Sequence, residues 1–287
     1  MTFYVLSLIL TAAVLHAFWN ILSKKANGRA PFIWLVYIAS TFMYLPVLLY
    51  RIRQGDDVIS QPVLWFSLSS AALHIAYYLI LQKGYRSGDL SVVYPLARGT
   101  GPLFSSVAGI LLLHEQLKLK ASIGLGLILI GVLIITRLSF RKENNAKIIT
   151  GVYWGMLTGF FIALYTFNDT VVVKQYAISP LIITFVSNMF STFLLFPFVL
   201  SQKTEIKREI RQHKWSIVTI GLLSPAAYIL VLEALKYAPL TVVAPARETS
   251  ILIGVFMGSR VLNEEDGRRR LIASVSILGG IIALSLS

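Results

Sequence analysis

Leu90-Ser91-Val92-Val93-Tyr94-Pro95 recurs 150 residues further on as Leu240-Thr241-Val242-Val243-Ala244-Pro245. The same offset places Lys24 on Lys174, Trp65 on Trp215, Tyr78 on Tyr228 and Glu115 on Glu265. Polar and proline matches that hold one offset along a chain read as an internal repeat. Two apolar halves alone would share hydrophobic residues without keeping the polar ones in register.

Working outward from that stretch, the sequence divides into apolar segments near 3–23, 31–50, 62–82, 90–113, 119–137, 150–172, 180–200, 215–236, 241–262 and 270–286. A helix needs roughly 20 apolar residues to cross the hydrocarbon of a bilayer, so each segment is long enough to span. Composition agrees: 56% of the 287 residues are hydrophobic and 14% are charged, and the mean hydropathy is +0.73. An average soluble domain is about 25% charged, which argues against a cytosolic enzyme or a disordered chain. The first segment lacks a basic leader and runs too long for a signal peptide, so it reads as a helix. No segment alternates as a barrel strand does. The expectation is an all-α integral membrane protein of ten transmembrane helices, arranged as two five-helix repeats over 1–140 and 150–287. Five is odd, so the second copy enters the membrane inverted, an arrangement found in transporters.

Net charge is +13, from 26 Lys+Arg against 13 Asp+Glu. In a membrane protein such an excess marks basic loops at an anionic face and gives no reason to expect a nucleic-acid partner. With Arg98 and Arg247 set aside inside spans, 18 of the remaining basic residues fall at odd-numbered loops and 6 at even-numbered ones. That bias puts the odd loops in the cytoplasm, led by the loop Lys203 to Lys214 with its five Lys/Arg.

Ten helices in two five-helix halves resemble the EamA-type members of the drug/metabolite transporter superfamily. The first span, Leu15-His16-Ala17-Phe18-Trp19-Asn20-Ile21-Leu22-Ser23-Lys24, is similar to that family's opening helix. Leu90 to Leu96 followed by Leu113-His114-Glu115 is similar to its fourth, and Thr241 to Pro245 followed by Leu262-Asn263-Glu264-Glu265 repeats the pattern. The resemblance covers essentially the whole chain. It implies transport of a small metabolite such as an amino acid, purine, sugar or drug, and a cavity lined by the fourth and ninth helices. It also implies cytoplasmic termini, opposite to the charge bias.

Ionisable groups inside spans are costly to insert and are functional candidates by default. Arg98 lies about two turns into the fourth span, and Arg247 and Glu248 lie at the matching depth of the ninth. The repeat offset puts Arg98 on Glu248. The pair can clamp a zwitterion, Arg98 holding a carboxylate or phosphate and Glu248 an amine or a proton. Alternatively it ties the two repeats together. Pro95 and Pro245 precede these charges and can break the helices so that freed carbonyls line a cavity. His16 and Asn20 share a face one turn apart, beside Trp19; they can meet a substrate, each other, or a backbone carbonyl. Tyr78, Tyr94 and Tyr228 offer hydroxyls and stacking faces for substrate, as do His74 and Tyr77. Asp169 is a candidate proton carrier or, more simply, a solvated carboxylate near a helix end. Lys24 and Lys174 read as snorkelling bases. Glu115 and Glu265 read as loop-entry residues that bond the amides of the next helix. Gly151, Gly155 and Gly159, with Gly254 and Gly258, have the spacing of close helix packing.

The sequence has no cysteine, no phosphate-binding loop, no His-Glu-x-x-His and no Gly-x-Ser-x-Gly. No catalytic residue, metal site or cofactor is expected. The reading is a secondary transporter of a small polar or zwitterionic metabolite (amino-acid-like, purine-like or drug-like), a multi-pass protein of the inner or plasma membrane whose partners are its substrate and the lipid bilayer. The alternatives are an intramembrane enzyme and a non-transporting membrane partner.

Overall fold

The computed structural model describes residues 1–26, 28–55, 58–87, 90–116, 118–136, 145–250, 272, 275–280 and 282–283. Among the described residues the named elements are all helices: α1 (Phe3–Ala26), α2 (Ala30–Gln54), α3 (Gln61–Ser87), α4 (Leu90–Leu112), α5 (Leu119–Thr136), α6 (Asn145–Gln175), α7 (Pro180–Val199), α8 (Lys203–Tyr237) and α9 (Leu240–Arg247). Residues 275–280 are also helical. Six helices, α1, α2, α3, α6, α7 and α8, carry stretches long and apolar enough to cross a membrane, while Leu96–Leu112 and Leu119–Gly131 are shorter apolar helices.

Local chemistry sets the ends. Proline stands at the start of α2 and α7, where its missing N–H is one the first turn leaves unpaired anyway. α2 stops at Gly55, whose φ of 76° lies in the left-handed region and whose N–H caps the carbonyls of Arg51 and Ile52; only glycine adopts that conformation without a Cβ penalty. The basic stretch from Lys203 to Lys214, expected as a loop, is instead mostly helical. α8 begins at Lys203 and passes a non-helical residue, His213 (φ −126°, ψ 18°), before continuing to Tyr237.

The chain forms two compact units, and neither is a contiguous half of it. One comprises Met1–Leu10, Leu73–Phe167 and Tyr237–Ser287; the other comprises Thr11–Ala72 and Asn168–Lys236. In the first, α4 packs on α9 and on α5. α6 also packs closely against α4: a Cβ on Gly155 would come within 2.7 Å of the Leu96 Cβ, and one on Gly159 within 2.9 Å of the Gly101 amide nitrogen. Glycine at these two positions lets the backbones approach, as their spacing predicted. The helical stretch at 275–280 lies on α5, where Ser276 Oγ donates to the Leu127 carbonyl at 2.7 Å.

In the second unit, α2 packs on α7. Leu48, Val63, Ile182, Phe185 and Val186 form a core there, and Phe32, Ile217 and Ile220 form another with Ala26. Trp34 Nε1 donates to the Thr192 carbonyl at 3.0 Å, and Asn188 Nδ2 to Ser40 Oγ at 2.8 Å. The packed pairs α4–α9 and α2–α7 are each related by the 150-residue offset.

Candidate functional site

Two of the buried carboxylates among the described residues, Glu248 in one unit and Asp169 in the other, lie within the apolar spans. The first is Glu248. α9 ends at Arg247, and the Glu248 amide turns back to the Pro245 carbonyl at 3.0 Å. The turn follows Pro245 by three residues, and Thr249 and Ser250 beyond it are again helical. α4, in contrast, stays helical through Pro95. Glu248 is 1% exposed. Arg98 Nη1 lies 3.6 Å from Glu248 Oε2, and Arg247 Nε lies 4.0 Å from Oε1. The sequence offset thus did bring Arg98 and Glu248 together. At 3.6 Å the pair is an electrostatic contact and not a hydrogen bond, since charge-assisted N–H···O bonds fall near 2.7–2.9 Å. Glu248 Oε2 is buried with no hydrogen-bond partner, as are Thr241 Oγ1 and Thr249 Oγ1 close to it in the chain. The Arg98 side chain keeps 16% exposure against 1% for Glu248, so it is the more accessible member of the pair.

The other end of α9 is held by a residue from the first repeat. Glu115 accepts hydrogen bonds from the Leu240 and Thr241 amides at 2.7 and 2.9 Å. α9 has no side-chain cap of its own at Pro239. The carboxylate therefore occupies the positive end of the helix, where it satisfies two open donors. Room for it comes from Gly109, where a Cβ would stand 2.7 Å from Glu115 Oε2. Sequence reading had the chemistry right and the helix wrong: Glu115 caps α9 and not the helix that follows it. Glu265, Gly254 and Gly258 lie outside the described residues.

The second carboxylate, Asp169, is fully buried. Tyr228 on α8 donates its hydroxyl to Asp169 Oδ2. Ser70 on α3 donates to the same oxygen at 3.0 Å, and Asn168 Nδ2 donates to Oδ1 at 2.8 Å. Ser69 Oγ in turn donates to Asn168 Oδ1 at 2.8 Å. The solvated helix-end reading of Asp169 is thereby corrected: α6 runs on to Gln175, and side chains from α3 and α8 close over the carboxylate. Ser69 and Ser70 went unnoticed in the sequence, where their one signal was a pair of hydroxyls in an apolar span.

The remaining candidates are placed as follows. The Asn20 amide donates to the His16 carbonyl at 2.7 Å, the backbone alternative of those weighed, and the His16 and Trp19 rings meet edge to face at 4.9 Å. Trp19 Nε1 is buried without a hydrogen-bond partner, leaving one donor of that trio open. His74 stacks on Tyr165 at 4.0 Å, and Tyr77 meets the same ring at 5.8 Å. Tyr78 is half-buried on α3. The side chains of Tyr94, Pro95 and Lys24 lie outside the described ones. A cleft of about 700 Å³ lined by Tyr44, Arg51, Glu233 and Lys236, among others, holds none of the sequence-derived candidates. Among the described residues no group of His, Asp and Glu is placed to hold a metal ion.

All-helical units with long apolar helices and ionisable side chains buried inside them define a membrane protein with a polar interior. The model of the EamA-like transporter family matches residues 3–137 and again residues 149–286, and the chain belongs to that family. The family is one of transporters. One solved structure, described as "Crystal structure of protein", is similar in fold, with a TM-score of 0.71 at 13% identity over 98% of this chain and 96% of that one. No curated protein matches the sequence.

Proposed function

We propose that the protein is a secondary transporter of a small polar or zwitterionic metabolite in the inner or plasma membrane. It works by alternating access between two inverted five-helix repeats, and Arg98 and Glu248 bind the substrate. The observation that carries this reading is the loose Arg98–Glu248 contact. A structural ion pair in a low-dielectric interior gains by closing into hydrogen bonds. This one stays open at 3.6 Å, leaving Glu248 Oε2 without a hydrogen-bond partner. A ligand carboxylate or phosphate can take the planar fork of Arg98, while a ligand amine takes the vacant Glu248 oxygen. Arg247 adds positive charge beside the same carboxylate. Tyr78 and Tyr94 are the further substrate contacts in this reading, while Tyr228, whose hydroxyl is given to Asp169, serves the coupling site.

Of the two candidates for proton coupling, Asp169 is favoured over Glu248. Glu248 is given to substrate binding in this reading. Asp169 is held by hydroxyl and amide donors. Tyr and Ser hydroxyls both donate and accept, so either can turn to accept from a protonated Asp169 without leaving its place.

Uptake into proteoliposomes with and without an imposed pH gradient tests both parts. Arg98→Gln should abolish uptake of any substrate the wild type carries while the protein remains monodisperse. Normal uptake by that variant overturns the substrate assignment. Asp169→Asn should lose the stimulation by the gradient yet keep exchange of substrate for substrate. Gradient-driven uptake surviving in Asp169→Asn and lost in Glu248→Gln moves coupling to Glu248.

A further inference from the structure

The first ten residues of α8, ahead of the break at His213, carry a charge pattern that the transport reading does not use. Lys203, Lys207 and Arg211 are spaced four apart, so they fall on one face of the helix. Glu205 and Glu209 are also four apart and lie about half a turn round from that stripe. The acidic face finds its countercharge within the segment: Arg208 pairs with Glu205, Arg208 Nη2 lies 3.6 Å from Glu209 Oε1, and His213 Nε2 lies 3.9 Å from Glu209 Oε2, an oxygen with no hydrogen-bond partner. Glu209 is 3% exposed. Lys203, Lys207 and Arg211 are exposed, and none of them forms an ion pair among the described residues. Ile210, 48% exposed, lies along the same stripe, and Trp215, 74% exposed, stands just past the break with Lys214 Nζ 5.7 Å from its ring.

We infer that this segment is an interfacial helix that binds the anionic headgroups of the bilayer leaflet it faces. Three considerations fix the occupant. The segment leads directly into the apolar part of α8, so it sits at the level where that span meets water. An exposed tryptophan and isoleucine beside lysines match the aromatic and apolar components of membrane-interface helices. The unpaired bases present concentrated positive charge to lipid phosphate, each worth roughly fivefold in binding near an anionic surface. The break at His213 lets the segment turn away from the direction of the span. The helix so anchored is the one that carries Tyr228.

Titrating phosphatidylglycerol or phosphatidylcholine into the detergent-solubilised full chain, with the apparent melting temperature as readout, tests the inference. Phosphatidylglycerol should raise the melting temperature at concentrations where phosphatidylcholine does not. Lys203→Gln/Lys207→Gln/Arg211→Gln should weaken the phosphatidylglycerol response about fivefold for each charge removed. The matched variant Lys25→Gln/Arg29→Gln/Arg53→Gln should retain it. Equal responses to both lipids, a full response in the α8 variant, or an equal loss in the matched variant overturns the inference. A second measurement needs no variant: about 0.5 M NaCl, where the screening length is roughly 4 Å, should remove the phosphatidylglycerol-specific rise in the wild type. A rise that persists in that salt also overturns it.

Discussion

Glu248 and Asp169 are both buried carboxylates on apolar helices, at 1% and 0% exposure, and the chain accommodates them in opposite ways. Glu248 is compensated by charge, with guanidinium nitrogens at 3.6 and 4.0 Å and one oxygen left without a hydrogen bond. Asp169 is compensated by hydrogen bonds, from Tyr228, Ser70 and Asn168. Charge compensation acts over distance and leaves bonding capacity for something else to use. Hydrogen-bond compensation fills that capacity with groups that can reverse direction. The first solution suits a place where a charged ligand comes and goes, and the second a place where a proton does.

Substitutions that treat the two carboxylates differently are the sharpest way to break that comparison. The largest effect is expected from Arg98→Gln, a loss of about a hundredfold or more in uptake, because the ligand's anionic group then loses its charge-assisted hydrogen bonds. Arg98→Lys, which keeps the charge and loses the fork, should cost about tenfold. If Lys serves as well as Arg, bidentate recognition is not what Arg98 provides. Next comes the coupling site. Tyr228→Phe removes one charge-assisted hydrogen bond, worth roughly 1.5–3 kcal/mol, and should reduce gradient-driven uptake about tenfold with little change in substrate exchange. Equal reduction of both activities would make Tyr228 a substrate contact.

Smaller effects concern the frame that holds each site. Gly159→Val forces a side chain against Thr100 and the Gly101 backbone. It should destabilise the α4–α6 packing by about 1–3 kcal/mol, read as a lower melting temperature, whereas Gly126→Ala, which meets nothing nearby among the described residues, should not. The least is expected from Glu115→Gln. It keeps one acceptor at the start of α9 and loses the charge, costing about 1 kcal/mol. An unchanged melting temperature would mean that the carboxylate charge adds nothing to the α9 cap.

Much of this architecture was legible because it rests on spacing. The 150-residue offset found Arg98 opposite Glu248 and matched Tyr78 to Tyr228, and glycine spacing marked Gly155 and Gly159 for close helix packing without naming α4 as the partner. The Asp169 network was not legible as a network. Ser70, Asp169 and Tyr228 sit on three helices, and nothing local to any of them tells which face meets the others. The reading of Lys203–Lys214 as a loop failed for a different reason. Its charge density resembles a connector when helices are sought by apolar length, yet its own pattern, bases four apart and acids four apart, was helical all along.

The sequence alone determined that the chain is helical, apolar enough for a membrane and internally duplicated, because hydropathy and repeat register need no partner to be read. It also determined that Arg98, Arg247 and Glu248 stand inside apolar segments, while the burial of Asp169 and Glu209 could not be read there. Tertiary structure decided how each of those charges is met: Glu248 by guanidinium at a distance, Asp169 by donors in contact, and Glu115 by the amides of α9. Those partners lie far apart along the chain, and only packing fixes which faces of their helices meet.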